Sequence, residues 1–382
     1  MTRHKPIYVL DAIQLDNFRN YSSAFLKFNP NMNVILGDNG SGKSAVLEAI
    51  HTILVGRSFR SSVTTRHLVQ TKSNSFRIQA KLIDTISAKT NSKLIELHKD
   101  LDGNRRLSAN NELVEGGLRS VVRLLPLMCF SPDTGNLVDV EPEKRRKLLD
   151  WAVFHVEPNF INKWSEFQNT LKQRNKFLKS DNRYDVEEYN FWTEQFIKSS
   201  HDIHEARLRI YSDIVDFFDQ AIQSFNCRVN VEYSKGWLET SSLEEQLHTS
   251  YSQEMHRRYT VAGPHRADLI FKCDNASLKN TFSRGEKKFV SLQFMLSQVE
   301  YLTYATGAPP LVLFDDIIAE LDNNLQALVF DKIHALKCQA IITATSLPNT
   351  LLVNKDSFDK DYNVFHVEHG SLISSTSCFN DQ

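Results

Sequence analysis

Gly37-Asp38-Asn39-Gly40-Ser41-Gly42-Lys43-Ser44 decides how the rest of the chain is read. It fits G-x-x-x-x-G-K-[ST], the phosphate-binding P-loop. Met32 to Leu36 ahead of it reads as a short buried strand. Ala45 to Leu54 behind it reads as a helix with Val46, Leu47, Ile50, Ile53 and Leu54 on its apolar side. Strand, loop and helix in that order are the setting the motif needs. The glycines let backbone N–H groups curl around a phosphate without Cβ clashes, and the helix N-terminus adds a dipole that favours an anion. In this reading Gly37 through Ser44 hold a nucleotide. Lys43 reaches its β- and γ-phosphates, and the Ser44 hydroxyl ligates Mg²⁺.

A second constellation lies far downstream. Pro309 to Asp316 is an apolar strand ending in two acids, the Walker B arrangement. Asp315 at the strand end would hold Mg²⁺, and Asp316 would orient or deprotonate the attacking water. Ahead of it, Thr281 to Lys288 opens a helix running to about Tyr304. Ser283 and Gly285 at its start, taken alone, read as a helix cap.

Outward from these motifs, Tyr8 to Leu15 and Ala24 to Phe28 read as strands, joined by a polar turn containing Arg19 and Asn20. Arg19 reads equally as a nucleotide contact and as an ordinary solvated residue. Gly56 to Ser61 is basic and carries Arg57 and Arg60, which suit phosphate contact. Phe76, Ile78, Ala80 and Leu82 alternate as a strand, and Leu94 to Leu97 and Leu107 to Leu113 extend the region around an Asp102-Gly103-Asn104 hairpin turn. Leu124 to Phe130 reads as one buried strand. Lys144, Arg145, Arg146 and Lys147 form the densest basic cluster; it is either a solvated helix face or a phosphate-contacting one. From about Asn159 to Ala221, Trp164, Phe167 and Leu171, then Tyr189, Phe196, Ile203 and Ile210, recur at helical spacing. Two long helices joined near Ser180 to Asn182 account for this, with Lys172, Arg174, Lys176 and Lys179 on an exposed basic face. His265, in the Gly263 to Asp268 turn, is a modest site candidate, and the tail from His369 reads as loosely ordered and without function.

The formal net charge of −1 over 382 residues leaves nucleic-acid binding to local patches. Five scattered cysteines fit reduced thiols in a cytoplasmic protein better than a disulfide framework or zinc site. No apolar run is long enough to span a bilayer, and the first six residues lack a signal-peptide core, so no membrane partner is expected.

The order S-x-G-E, helix, Walker B strand, L-D resembles the ATP-binding-cassette superfamily, in which the signature Ser and Gly of one head bind the γ-phosphate held by another. More specifically, the chain resembles the RecF family of bacterial recombination mediators. The resemblance rests on Phe18 to Tyr21; Gly37 to Ser44 with Leu47 to Ile50; Arg57 to Arg60; Ser131-Pro132-Asp133; and Lys144 to Arg146 with Leu149-Asp150. It continues through Leu171 to Asn175, Gly263 to Asp268, Ser283 to Gly285, Asp315-Asp316 and Glu320 to Asp322. It implies an α/β fold, a Rad50/SMC-like ABC-type ATPase head with an inserted helical arm. The expected parts are residues 1–155 and 226–382 as the two halves of the head and 156–225 as the arm. It further implies ATP and Mg²⁺ as cofactors, an ATP-dependent homodimer, binding to single-stranded and gapped duplex DNA, and weak DNA-stimulated ATP hydrolysis. The implied partners are RecO and RecR in loading RecA, in support of the SOS response. Lys43 and Asp316 take the catalytic roles, Ser44 and Asp315 the metal, and Arg19, Asn20, Ser283 and Gly285 contact ATP. Arg57, Arg60 and Lys144 to Lys147 are candidates for DNA. Glu286 and Arg284 replace the usual Gln and Gly of transport cassettes. Residues 127–131 lack a Q-loop glutamine, Thr345 and Ser346 stand where a switch histidine would be, and Asp316 is shorter than the usual Glu. These departures imply slow turnover, with ATP acting as a switch; an SMC-like ATP-gated DNA clamp with negligible hydrolysis is the alternative. A transporter cassette needs no helical arm, and a small-molecule kinase needs no Ser283-Arg284-Gly285.

Overall fold

The P-loop helix α1 (Lys43–Val55) is wedged between two sheets. In the computed structural model the described residues are 7–86, 92–114, 117–132, 135–181, 185–223, 228–274, 276–316, 321–347 and 362–377. Asp133, Asn182, Cys227, Ile317 to Glu320 and Cys378 lie outside them. The chain divides into two compact units, residues 1–136 with 302–382, and residues 137–301. The boundaries expected at 155/156 and 225/226 both fall inside the second.

In the first unit, β1 (Tyr8–Phe18), β2 (Tyr21–Lys27), β4 (Ser75–Asp84), β5 (Ser92–Asp100), β6 (Arg105–Ala109) and β7 (Glu112–Leu113) form an antiparallel sheet in the order β2-β1-β4-β5-β6-β7. In β4, Phe76, Ile78, Ala80 and Leu82 are buried while Arg77 and Lys81 face out, the period-2 pattern of a half-covered strand. The second sheet runs β15-β14-β3-β13-β12-β8. Its members are β3 (Met32–Leu36), β8 (Leu127–Phe130), β12 (Leu311–Asp315), β13 (Ala340–Ala344), β14 (Tyr362–Glu368) and β15 (Ser371–Ser377). All pairs are parallel except β14 with β15. Every residue of β3, β12 and β13 is buried, as expected where both faces of a parallel sheet are covered. Short helices α2 (Thr65–Leu68) and α3 (Leu118–Leu124), and α11 (Asn323–Leu336), complete the unit.

Helix α1 shares one apolar core with residues of both sheets. Ten of its thirteen residues are buried, so the one-sided apolar stripe expected from sequence is instead a helix covered nearly all round. Leu124 to Phe130 is not one strand. It begins as the last residue of α3 and becomes β8 after Pro126, which holds Leu125 at φ −137° and ψ 95° and so ends the helix. The tail also differs from expectation. Residues 369 and 370 make a two-residue turn, and β15 pairs with β14 as far as residue 377.

The second unit contains α4 (Pro142–Val156), α5 (Phe160–Lys179), α6 (Val186–Ala221), β9 (Val229–Ser234), α7 (Leu243–Thr249), α8 (Tyr251–Arg257), β10 (Asp268–Cys273), β11 (Ala276–Ser277) and α9 (Leu278–Thr281). Helix α10 (Arg284–Thr306) runs from it into the first unit. Residues 243–257 form two helices, α7 and α8, that meet at Ser250. Helices α5 and α6 form the expected hairpin, with the Phe167 and Phe196 rings 5.8 Å apart. They are not an isolated arm, because Arg207 of α6 makes a two-pronged pair with Asp150 of α4 at 2.7 and 2.9 Å. Tyr211 also donates to the Val231 carbonyl of β9 at 2.6 Å. Trp164, expected in the seam, is exposed; Phe167 meets Phe196 and Phe177 meets Tyr189 across the hairpin instead.

Arg174, expected on an exposed basic face, is fully buried. Its guanidinium donates to Glu254 at 2.6 and 3.1 Å, to Thr260 at 2.7 Å and to Tyr189 at 3.3 Å. It also lies over the Tyr189 and Phe196 rings. Glu254 is buried too and accepts from the Val261 N–H at 3.0 Å. Removing one partner of such a pair leaves an uncompensated buried charge. Arg174→Met should therefore cost about 3–5 kcal/mol in urea unfolding, and adding Glu254→Leu should recover most of it. A single variant within about 1 kcal/mol of the wild type would count against this reading.

Candidate nucleotide site

The P-loop passes from β3 into α1, and its close approaches explain its glycines. A Cβ on Gly42, whose φ is 122°, would lie 2.7 Å from the Asn20 amide nitrogen. One on Gly37 would lie 2.3 Å from the Val367 carbonyl oxygen. The Lys43 ammonium is buried and donates to the carbonyls of Gly37 at 2.8 Å and Asp38 at 3.0 Å. The loop is one wall of a cleft of about 770 Å³ lined by Arg19, Asn20, Asn39, Gly40, Gly42 to Ala45, Glu48, Arg60 and Asp316. Arg66, His67, Val69, Gln70 and Thr71 complete the lining. These five follow the loop after α1, and nothing in their sequence pattern marks a site.

Asp315 ends β12 beside the loop. Its carboxylate is hydrogen-bonded to Ser44 and Thr343 and lies 3.5 Å from the Arg60 guanidinium. Burial pushes the Asp315 carboxyl above the ordinary carboxylate range, and the adjacent Asp316 adds to this. Ser44, Arg60 and Thr343 pull the other way. Asp316 follows in a left-handed conformation, φ 54°, with its N–H donating to Thr343 Oγ1 at 2.9 Å. Its Oδ1 is buried and has no hydrogen-bond partner among the described residues; the same is true of Ser41 Oγ. Thr343 therefore holds the Asp315 carboxylate and the Asp316 backbone, from a strand whose sequence gave no sign of it.

Arg19 sits at the tip of the β1–β2 hairpin and makes a two-pronged pair with Glu48 of α1 at 2.6 and 2.7 Å. Glu48 is 1 % exposed and also accepts from Ser58. Ser58 in turn accepts from the Arg60 N–H at 3.0 Å. Glu48 and Ser58 were missed as site residues, although an acid in the middle of an apolar helix is a readable signal. Asn20 reaches the loop itself, donating to the Ser41 carbonyl at 3.0 Å.

The basic candidates separate. Arg57 is exposed, whereas Arg60 lies in the cleft beside Asp315. Lys144 and Lys147 are exposed, the latter paired with Glu143 at 2.5 Å. Arg146 is half-buried and donates to the Ala267 carbonyl at 2.7 Å. Arg145, expected on a DNA-facing surface, is buried instead. It grips Asp268 at 2.7 and 2.8 Å, because the inward face of α4 carries positions 145, 149, 152 and 153. Ser283 and Gly285 lie in the second unit at the start of α10. There Ser283 and Glu286 exchange backbone-to-side-chain bonds of 2.8 and 3.3 Å, the reciprocal cap of a helix N-terminus. Burial lowers the His265 pKa to about 4, and its ring is held against the Thr260 carbonyl at 3.0 Å, so it reads as a packed residue.

The RecF/RecN/SMC N-terminal domain family matches residues 9–372. The DNA replication and repair protein RecF of Acinetobacter baylyi is 31% identical over 367 residues, covering 95% of this chain and 99% of that protein. The chain belongs to the RecF family. The RecF of Coxiella burnetii is 32% identical over 367 residues, covering 96% of this chain and 99% of that one. The solved structure of the recombination mediator protein RecF-ATP in the RecFOR pathway superposes with a TM-score of 0.82. It is 24% identical and covers 98% of this chain and all of that one. The Smc head domain of Pyrococcus furiosus gives a TM-score of 0.59 at 16% identity, covering 97% of each chain. The fold is thus that of RecF and SMC head ATPases. Among the described residues no helix is long and apolar enough to cross a membrane.

Because burial raises the Asp315 pKa, its ionised form is held at a cost to the folded state above that pKa, and the cost vanishes as acidification protonates it. Asp315→Asn should therefore raise the thermal midpoint of the nucleotide-free protein at pH 7. The gain should shrink as the pH falls through the raised pKa towards the ordinary carboxylate value. A gain that does not depend on pH, or a loss at pH 7, would contradict the assignment.

Proposed function

We propose that the chain is an ATP-gated DNA-repair protein that acts in recombination as RecF does. The observation that carries this reading is the end-to-end relation to proteins named DNA replication and repair protein RecF. The cleft lined by Lys43, Ser44 and Asp316, with Asp315 hydrogen-bonded to Ser44 beside it, supports it. The RecF-ATP structure supports ATP as the nucleotide. A hydroxyl and a carboxylate are hard oxygen donors that suit Mg²⁺, which takes few protein ligands and completes its shell with phosphate and water. Among the described residues no group of three or more His, Cys, Asp or Glu offers a fuller cage. Ser44 and Asp315 would hold this ion, which when bound neutralises charge on the phosphate oxygens. Lys43 trades two backbone carbonyls for phosphate oxygens. Asp316, through an Oδ1 that has no hydrogen-bond partner among the described residues, accepts a hydrogen bond from the attacking water.

In this reading ATP draws two copies together, with Ser283 and Gly285 of one facing the γ-phosphate held by the other. The dimer binds single-stranded and gapped duplex DNA, and slow DNA-stimulated hydrolysis releases it. RecO and RecR are the partners, and loading of RecA at gaps, in support of the SOS response, is the outcome. Sedimentation of Asp316→Asn with and without Mg-ATP tests the switch: the variant should become dimeric with ATP, and Ser283→Arg should abolish the shift. A monomer under saturating ATP would sink the dimer mechanism.

Lys144 and Lys147, exposed on α4, are the DNA-contacting candidates in this reading. Replacing either with Gln should lower the slope of log K against log salt by about 1. Arg145→Gln should leave the slope unchanged and lower stability, since it strands Asp268. An altered slope for Arg145→Gln would restore it as a DNA contact.

A further inference from the structure

The turn that joins β14 to β15 touches the outside of the P-loop. It is a two-residue hairpin turn, His369-Gly370, between paired Glu368 and Ser371. Both residues have positive φ, 47° and 75°, as a type I′ turn requires. The Gly370 N–H donates to the Ser41 carbonyl at 2.8 Å. The same oxygen accepts from the Asn20 amide at 3.0 Å, and the next carbonyl, Gly42, accepts from the Tyr21 hydroxyl at 3.1 Å. The two hairpin tips also touch each other, for a Cβ on Gly370 would lie 2.2 Å from the Asn20 carbonyl oxygen. The tip that belongs to the far C-terminal strand pair is therefore a glycine by necessity, packed against the loop that the chain is organised around.

The consequence follows from the geometry of the peptide unit. In a planar trans peptide the carbonyl and the following N–H point in opposite directions. Holding the Ser41 oxygen on Gly370 and Asn20 turns the Gly42 N–H to the opposite side of that peptide. A phosphate nest is made of successive backbone N–H groups held on one side of a loop. Glycine at position 42 has little intrinsic preference to hold that orientation, since it samples both signs of φ. Two external donors supply the missing restraint.

We infer that Gly370 is a positioning residue of the nucleotide site: its N–H, together with Asn20, fixes the Ser41–Gly42 peptide so that the loop is pre-set for phosphate. This rests on the reading of the P-loop as a nucleotide site. The β14–β15 hairpin is thereby a component of that site rather than a terminal appendage. Pre-organisation of this kind raises affinity by removing ordering cost at the moment of binding.

The test is Mg-ATP affinity by isothermal titration calorimetry, with melting temperature measured on the same samples. Gly370→Ala places a Cβ against Asn20 and displaces the turn, and should weaken Mg-ATP binding about tenfold or more. Gly103→Ala is the control. Gly103 is also at positive φ, 92°, in a hairpin turn, but its Cβ would meet open space. It should lower the melting temperature through the same backbone penalty and leave the dissociation constant within twofold of the wild type. Asn20→Ala removes one donor without altering any turn glycine, and should weaken binding severalfold even if Gly370→Ala fails to fold. Faster amide exchange of the P-loop peptide in the nucleotide-free Asn20 and Gly370 variants is the accompanying expectation. Folded Gly370→Ala or Asn20→Ala protein with wild-type affinity would overturn the inference while leaving the site reading intact. Wild-type protein that fails to bind Mg-ATP would overturn the site reading and this inference with it.

Discussion

A helix buried on nearly every side has to satisfy each polar group it carries, and α1 meets that demand in a way that shapes the cleft around it. Glu48 sits among Val46, Leu47, Ala49 and Ile50, all essentially inaccessible to water. A lone carboxylate in such surroundings is prohibitively costly, so it is paired and hydrogen-bonded. The partners come from two separate segments, Arg19 from the β1–β2 hairpin and Ser58 from the loop after the helix. One buried charge therefore fixes two segments that line the cleft. Ser58 passes the constraint on by accepting from the Arg60 N–H, which helps to set the loop whose guanidinium lies beside Asp315.

The second buried acid obeys the opposite logic. Glu48 is matched by a two-pronged arginine, whereas Asp315 has a hydroxyl at Ser44, a hydroxyl at Thr343 and a single arginine contact at 3.5 Å. Burial outweighs these partners and its carboxyl is pushed up. A strand end that keeps an under-compensated acid beside a phosphate-type loop is destabilising as a structural element and useful as a cation site. The two buried acids thus differ in how completely they are satisfied.

The P-loop and the acids of β12 were legible because their chemistry is local. Eight consecutive residues specify a nest, and a run of apolar residues ending in two acids specifies a strand end. The end-to-end order of motifs carried the family. What was not legible depends on partners far away along the chain. Arg174 and Glu254 are 80 residues apart, and Arg145 and Asp268 are 123 apart. Each arginine, taken with its neighbours, reads as one more member of a solvated basic run. Thr343 is unreadable for a related reason. A threonine on an apolar strand is ordinary, and only the parallel register that pairs it with Asp315 gives it the Asp315 carboxylate and the Asp316 N–H as partners.

The tail shows how polarity alone misleads. Glycine, serine and threonine after His369 lower the hydropathy of the segment, yet a strand at a sheet edge needs little apolar surface if its backbone is paired. The β14–β15 ladder supplies that pairing through six residue pairs from Asn363 to Glu368. Once the ladder forms, the sharpness of its turn is set by the two positive-φ residues, and the turn projects a backbone donor at a fixed place. Composition determines how soluble such a segment is, but the position of one N–H is determined by register. Register is fixed by β3, which pairs with β14 on one side, with β13 on the other, and leads directly into the P-loop. The same strand thus delivers the phosphate loop and, through its neighbour, the donor that holds it.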